Sequence, residues 1–385
     1  MDRRQFLRVG GASALVIGAV GGGGYVYLRG PETEQATAPW RQAGSSFGDP
    51  RLDALAYAIL APNPHNKQPW RFTLKGDDQV VVHCDLERRL PETDPYDRQI
   101  TIGFGAMIAL FRMAAEAAGY GVEIEPFPQG ANINSLDQRP IAHLTIRQNR
   151  GKVDPLLKNV LSRHTNRVPF TEDELNHDDV NDIVKAGQIT HVHRSDPGFI
   201  LDQDNVAAIK ALADQAWRVE HATYATFKET VDVTRIGNAE VAANPDGISL
   251  TGAMFELLKR TGLLTHETML TENSFAWTTA RDGYLQSVNS ARGFLTLTAQ
   301  ENTRLGQLAT GEQWLRMHLK ATELGIAYHP LSQSLQEFEE MSTLYAEVHE
   351  RLRPSGIVHM LVRIGYAPDA NPAPRWPLKA KLEGA

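Results

Sequence analysis

The sequence predicts an α+β protein made of two half-domains fused in one polypeptide. Three observations carry this. Short apolar segments with strand character and amphipathic helical patterns are interleaved along the chain. An Asp-Pro pair opens a helical pattern twice, at Asp49-Pro50 and again at Asp154-Pro155. The 385 residues, 42% of them apolar and 22% charged, suffice for one large domain or two ordinary ones with a normal core.

The chain opens with an address. Asp2-Arg3-Arg4-Gln5-Phe6-Leu7-Arg8 resembles the twin-arginine export motif, and an apolar stretch from Ala12 to Leu28 follows, diluted by Gly21-Gly22-Gly23-Gly24. The alternative is an ordinary membrane anchor or Sec signal, although the span is marginal for a membrane helix, which needs about 20 predominantly apolar residues. Export by the twin-arginine route implies a periplasmic protein, or one tethered to the outer face of the inner membrane. It also implies folding around a cofactor before export. Ala36-Thr37-Ala38 offers a small-x-small cleavage site, but Pro39 would then begin the mature chain, so a retained tether stays open. Pro31 to Gly48 reads as a linker by composition. The expected division is 1–38 for signal and linker, 39–150 for the first half, and 151–385 for the second half with a lid-like insertion at about 244–293.

In the first half, Leu52, Leu55, Ala56, Ile59 and Leu60 fall on one helix face, and Pro62 and Pro64 stop the helix. A hairpin follows, Trp70 to Leu74 and Gln79 to Leu86 around Lys75-Gly76-Asp77-Asp78. An apolar helix runs from about Gly105 to Ala118, closed by Gly119. Strands around Val122 to Ile124 and Ile141 to Arg147 finish the half. In the second, Asp154-Pro155 opens a helix bearing Leu156, Leu157, Val160 and Leu161. A strand lies between Val192 and Phe199, and Asn205 to about Val233 is helical. Asn244 to Gly293 shows no clean strand and reads as an insertion or lid. Phe294 to Thr298 is a strand, Glu312 to Leu324 a helix, and Ile357 to Tyr366 a last strand.

Two motifs carry chemistry. Ala61-Pro62-Asn63-Pro64-His65-Asn66-Lys67-Gln68-Pro69-Trp70 joins a helix to a strand through a proline-rigid turn. Such a turn presents backbone groups and the Asn66 amide to a ring edge on which donors and acceptors alternate. Without a ligand it is a helix-to-strand turn ending on a buried Trp. Arg163-His164-Thr165-Asn166-Arg167 sets two cations four apart around a hydroxyl, a pattern suited to a phosphate monoester. Taken alone it describes many solvated helix ends.

The first run resembles the Pro-Ser-x-x-Asn-x-Gln-Pro-Trp segment of the nitroreductase superfamily, with Asn63 where that family usually has Ser. The second resembles the Arg-x-Ser/Thr-x-Arg element by which nitroreductases hold FMN. Here the arginine element follows the Asn-x-Gln-Pro-Trp element instead of preceding it. That order resembles the Acg-like branch, in which two half-domains in one chain form a pseudo-dimer with a nitroreductase-like sandwich fold and one flavin site. Asp97-Arg98-Gln99, Gly311-Glu312-Gln313-Trp314 and Val362-Arg363-Ile364-Gly365-Tyr366 extend the likeness over most of the chain from Asp49.

The resemblance implies FMN as cofactor, held by Pro62, Asn63, Asn66 and Gln68 from the first motif. Arg163 and Thr165 would take the phosphate, and Arg167 the pyrimidine edge, where a positive charge favours the reduced ring. The run His329-Pro330-Leu331-Ser332-Gln333 stands where the superfamily offers backbone groups to the ring, through Pro330, Leu331 and Ser332. Arg375 resembles a late phosphate-binding arginine. The implied activity is a flavoprotein oxidoreductase passing hydride or electrons to a quinone, nitroaromatic or similar small acceptor, without a catalytic side chain. The alternative is an FMN storage or sequestration protein with an occluded flavin. Because NAD(P)H is cytosolic, an exported enzyme would need a membrane quinol or a redox partner as donor. A pseudo-dimer needs no second chain, which predicts a monomer.

Other chemistries find no support. A formal charge of -7 with both signs interleaved offers no nucleic-acid surface. His191-Val192-His193 lacks a third metal ligand and reads as a polar strand edge. The lone Cys84, in an apolar run, is a buried small hydrophobe. No Gly-x-Gly-x-x-Gly follows a strand, and neither Gly-x-Ser-x-Gly nor His-Glu-x-x-His is present.

Overall fold

A computed structural model describes residues 34–148, 151–191 and 193–383. The export-signal segment Met1 to Gly30 lies outside the described residues, as does Val192 of the paired-histidine run. The described chain is α+β and contains two four-stranded antiparallel sheets.

The first sheet follows α1 (Ala38–Gln42) and α2 (Pro50–Ala58). Asp49 caps α2 by accepting from the Arg51 amide at 2.8 Å. The Arg51 side chain also reaches the Gly76 carbonyl at 2.8 Å, pinning the helix start to the turn between β1 (Trp70–Lys75) and β2 (Gln79–Cys84). Then come α3 (Arg98–Ala117), β3 (Tyr120–Pro126) and β4 (Ala142–Gln148), giving the strand order β1-β2-β4-β3. Helix α3 starts well before the predicted Gly105. The Asp94 carboxylate accepts from the amides of Gln99 and Ile100, so the cap comes from outside the apolar run.

The second half opens with a 3₁₀ turn at Pro155–Ser162 rather than the expected α-helix, capped by Asp154. It continues through α4 (His177–Ala186), β5 (Asp196–Ile200), α5 (Gln203–Ala222), α6 (Tyr224–Asp232), β6 (Thr234–Ile236) and α7 (Gly237–Ala243). The segment read as an insertion or lid without a clean strand folds into one short strand, β7 (Ile248–Leu250), and the helices α8 (Ala253–Arg260), α9 (His266–Leu270) and α10 (Phe275–Asn289). Strand β7 pairs in parallel with β6, and Met269, Ala276 and Leu285 pack with Trp217 and Phe227 in a small core of their own. Strand β7 and helices α8 and α9 are only 3, 8 and 5 residues long, so no long periodicity betrays them, and the 15-residue α10, capped by Ser274, buries residues without a clean apolar stripe. Last come β8 (Gly293–Ala299), α11 (Arg304–Glu323), β9 (Ala327–Pro330), α12 (Ser342–Leu352) and β10 (Ile357–Gly365).

The second sheet has the order β5-β8-β10-β9, the same connection order as the first. The likeness extends to the two long central helices. Arg98 and Arg304 are the buried first residues of α3 and α11, and Gly119 and Gly325 follow the two helices at φ 91° and 70°. Gly105 and Gly311 each stand seven residues into their helix and mark where the two cross. A Cβ on Gly105 would lie 2.0 Å from the Leu308 carbonyl oxygen, and one on Gly311 2.0 Å from that of Ile102. Only glycine permits this approach. After β10 the chain returns to the first sheet, where Leu382 bridges Phe72. The tail thereby crosses the turn that joins α2 to β1.

Candidate functional site

The turn between α2 and β1 is held in an uncommon backbone shape. His65, Asn66 and Gln68 have φ of 45°, 51° and 50°, the left-handed region that non-glycine residues seldom occupy. Its own side chains hold it there. The Asn63 Oδ1 accepts from the Gln68 amide at 2.7 Å, and its Nδ2 donates to the Ala61 carbonyl at 3.1 Å. This turn, the Arg163 segment, the strand end at Pro330 and the C-terminal tail meet at one cavity of about 560 Å³.

Most residues singled out in the sequence line that cavity. Pro62, Asn63 and Asn66 come from the turn, and Arg163, Thr165 and Arg167 from the second motif. Pro330, Leu331 and Ser332 lie along another wall, and Arg375 comes from the tail. Gln68 is the exception. It is fully buried away from the cavity, where Nε2 donates to the Pro245 carbonyl at 2.9 Å and Oε1 accepts from the Trp376 amide at 2.9 Å. Gln68 therefore fastens the turn to two distant segments and lines no ligand space. The Asn66 amide is also engaged: Nδ2 donates to the Pro374 carbonyl at 3.0 Å, and Oδ1 accepts from Arg375 at 2.6 Å.

The electrostatics centre on Arg163. It is 2% exposed, and no carboxylate pairs with it among the described residues. Burial alone pushes its guanidinium down to about 10. Its Nη2 donates to the Leu60 carbonyl at 3.1 Å, its Nη1 lies 3.4 Å from Nδ1 of His318, and its Nε has no partner among the described residues. Burial and the adjacent Arg163 charge hold His318 well below the usual histidine range, so its neutral ring can accept. Arg375 donates to the Leu60 and Ala61 carbonyls at 3.1 and 3.2 Å. A cationic wall of this kind suits a dianionic group.

One contributor escaped sequence reasoning, and another was legible in the motif without a direct role. Trp40, in the stretch expected to be linker, is 6% exposed and lines the cavity. Its ring lies 5.8 Å from the Arg163 guanidinium carbon and 5.3 Å from that of Arg375, and its Nε1 donates to the Ala373 carbonyl at 2.8 Å. The expected linker is thus folded from residue 34 onward, with Ala36 of the small-x-small site 2% exposed. Its signal was a single Trp in a polar stretch. His65, which the motif suggests as an acid standing behind the ligand, lines the cavity itself. Burial, then the Arg167 and Lys67 charges, push its imidazole down to about 4, which leaves a neutral ring in the cavity wall. Elsewhere, His191 and His193 lie in an exposed turn, and no metal-ligating cluster occurs among the described residues. Cys84 is buried, which pushes its thiol up and makes it inert.

No family model matches the chain. Over 332 residues it is 25% identical to a Mycobacterium tuberculosis protein named "Putative NAD(P)H nitroreductase acg", covering 83% of this chain and 90% of that protein. A second protein of that organism, also named an NAD(P)H nitroreductase with the same qualifier, is 24% identical over 340 residues, with 84% and 87% covered. An uncharacterized protein of the same organism is 35% identical over 125 residues, which is 31% of this chain and 35% of that one. Among solved structures, a nitroreductase with bound FMN from Desulfitobacterium hafniense aligns at 14% identity over 61% of this chain and 100% of its own, with a TM-score of 0.37. The two longer sequence matches span most of both chains, so this protein is similar over most of its length to two proteins named as nitroreductases.

Proposed function

We propose that the chain binds FMN in this cavity and acts as an oxidoreductase toward a small acceptor such as a quinone or nitroaromatic. The observation that carries the reading is Arg163, a buried guanidinium on the cavity wall with no carboxylate partner among the described residues. An uncompensated buried cation is costly, and a phosphate monoester would offset that cost with charge-assisted hydrogen bonds. Arg163 and Thr165 would hold the phosphate together with Arg375. Trp40 covers that end, and Pro330, Leu331 and Ser332 would run along the ring. Arg167 would favour negative charge on the ring edge, while neutral His65 adds none. Bound flavin would supply the electron transfer, and the protein its orientation and charge.

Residues of the lid helices also line the cavity, among them Met269, Tyr284 and Ser287. This favours a second reading, in which the flavin is sequestered and turns over little. The paired arginines near the N-terminus support export by the twin-arginine route; an exported enzyme would draw on a membrane quinol or redox partner, and two fused half-domains would need no second chain. The test is selectivity for the phosphate. Titrated into flavin-free protein, FMN should bind about 10- to 100-fold tighter than riboflavin, the value of one or two charge-assisted contacts. Equal affinity for the two would remove the reading.

A further inference from the structure

The wall of the cavity formed by α5, α6 and α10 carries a carboxyl group that cofactor binding does not use. Glu220, on α5, is 1% exposed and lines the cavity beside Trp217, Phe227, Thr230 and Tyr284. No Lys, Arg or His forms an ion pair with it among the described residues. Its partners are neutral. Gln336 Nε2 donates to Oε2 at 2.8 Å, and the Thr230 hydroxyl meets Oε1 at 3.2 Å. Gln333 also bonds the carboxyl and accepts from the Tyr284 hydroxyl at 2.8 Å. Gln333 directly follows the Pro330-Leu331-Ser332 run, so the acid is wired to the wall assigned to the ring.

Burial and a like charge favour a protonated acid, against the hydrogen bonds from Gln336, Thr230 and Gln333, which favour the carboxylate. Glu229, on α6, is a like charge. Tyr284, on α10, is a neutral phenol whose titration burial pushes above its ordinary range. Arg167 and Arg363 act on Tyr284, and no ion pair joins either to the Glu220 carboxyl among the described residues. His221 turns the other way, to the Trp277 carbonyl at 3.1 Å, and burial holds its ring neutral down to about 4. With burial as the largest cause, the Glu220 carboxyl is pushed up to about 7. A protonated carboxyl keeps its contact with Thr230, because a hydroxyl accepts as well as donates.

We propose that Glu220 is the proton donor to an acceptor of the quinone class bound against the Trp217–Tyr284 side of the cavity. The inference rests on the FMN reading above. Reducing a quinone to a quinol takes up two electrons and two protons. A reduced flavin accounts for both electrons and one proton, and the second proton must come from another acid. Glu220 transfers it from its carboxyl to the quinone oxygen, remains as a carboxylate held by Gln336, Gln333 and Thr230, and is reprotonated from water. A proton donor titrating near the working pH is the efficient arrangement.

The experiment compares wild type with Glu220→Gln and Glu220→Asp, each loaded with FMN, reduced, and mixed with menadione or with ferricyanide. Ferricyanide takes one electron and no proton. Glu220→Gln should slow the menadione reaction by about 100-fold, with Asp restoring part of it, and leave the ferricyanide reaction unchanged. The wild-type menadione rate should fall as pH rises through about 7, and the Gln variant should lose that dependence. Infrared spectra of the flavin-free proteins give a readout independent of turnover: a protonated-carboxyl band in wild type that is missing in Glu220→Gln. A Gln variant with full menadione activity, slowing of both acceptors alike, or no carboxyl band would each overturn the assignment. A wild type that takes up no FMN would remove the cofactor reading and this one with it. Flavin absorbance, read before any acceptor is added, tells that failure apart.

Discussion

Arg163 and Arg375, far apart in sequence, donate to the same acceptor, the Leu60 carbonyl oxygen, each at 3.1 Å. Burial alone pushes the Arg163 guanidinium down to about 10, and no carboxylate pairs with it among the described residues. An anion lying against Arg163 would offset that burial with a charge-assisted contact. Arg163→Met should therefore separate binding from folding. FMN affinity should fall by about 10- to 100-fold, while the flavin-free protein stays as stable as wild type or gains stability. Isothermal titration and thermal denaturation of the same preparations check the two halves.

Trp40 closes the Arg163 end of the cavity through its ring, its indole N–H and the neighbouring Ala36 carbonyl, which accepts from the Arg375 amide at 2.9 Å. Trp40→Ala should cost about 3 kcal/mol of stability and speed flavin release. Release followed by flavin fluorescence after dilution would reveal it. Processing after Ala38 would cut this contact set, so the N-terminus of the mature protein, read by mass spectrometry, should lie before residue 36.

The crossing of α3 and α11 leaves no room for a methyl group on Gly105 or Gly311. Gly311→Ala should cost at least about 3 kcal/mol, measured by urea unfolding, because the obstacle is backbone rather than a movable side chain. Gly119→Ala serves as a comparison. Nothing lies within 4 Å of its Cβ position, so only the positive φ is penalised, about 1 kcal/mol.

Glu220 also predicts a pH dependence of folding. Its folded value, about 7, lies above its ordinary 4.5, so the folded chain binds the proton more tightly than the unfolded one. The stabilisation from that proton is complete below pH 4.5 and is lost as pH rises through about 7. Relative to Glu220→Gln, wild type should lose on the order of 1–3 kcal/mol across that window and run parallel to it outside. Denaturant midpoints taken across the range give the difference. Parallel curves throughout would mean an unshifted acid.

Much of this was legible in the sequence where the signal was local. The Asp49 cap, the hairpin after Trp70 and the strand at Phe294 depend on neighbours a few residues away, and the structure has them. The two motifs around Asn66 and Arg163 do meet at one cavity. What stayed hidden depends on distant partners. Helix α3 begins at Arg98 because Asp94 caps it and the Arg98 guanidinium reaches the Leu335 and His359 carbonyls in the other half. The matched order of the two sheets is a topological fact that residue patterns do not encode. Gln68 was placed against the ligand because it belongs to the motif, whereas its partners, Pro245 and Trp376, lie in segments that no local rule brings together.

The most direct measurement is the visible absorbance spectrum of the purified protein, before and after acid release of any bound chromophore. The account predicts the flavin bands, one flavin per chain, and release of FMN rather than riboflavin. A colourless protein that also fails to take up added FMN would contradict it.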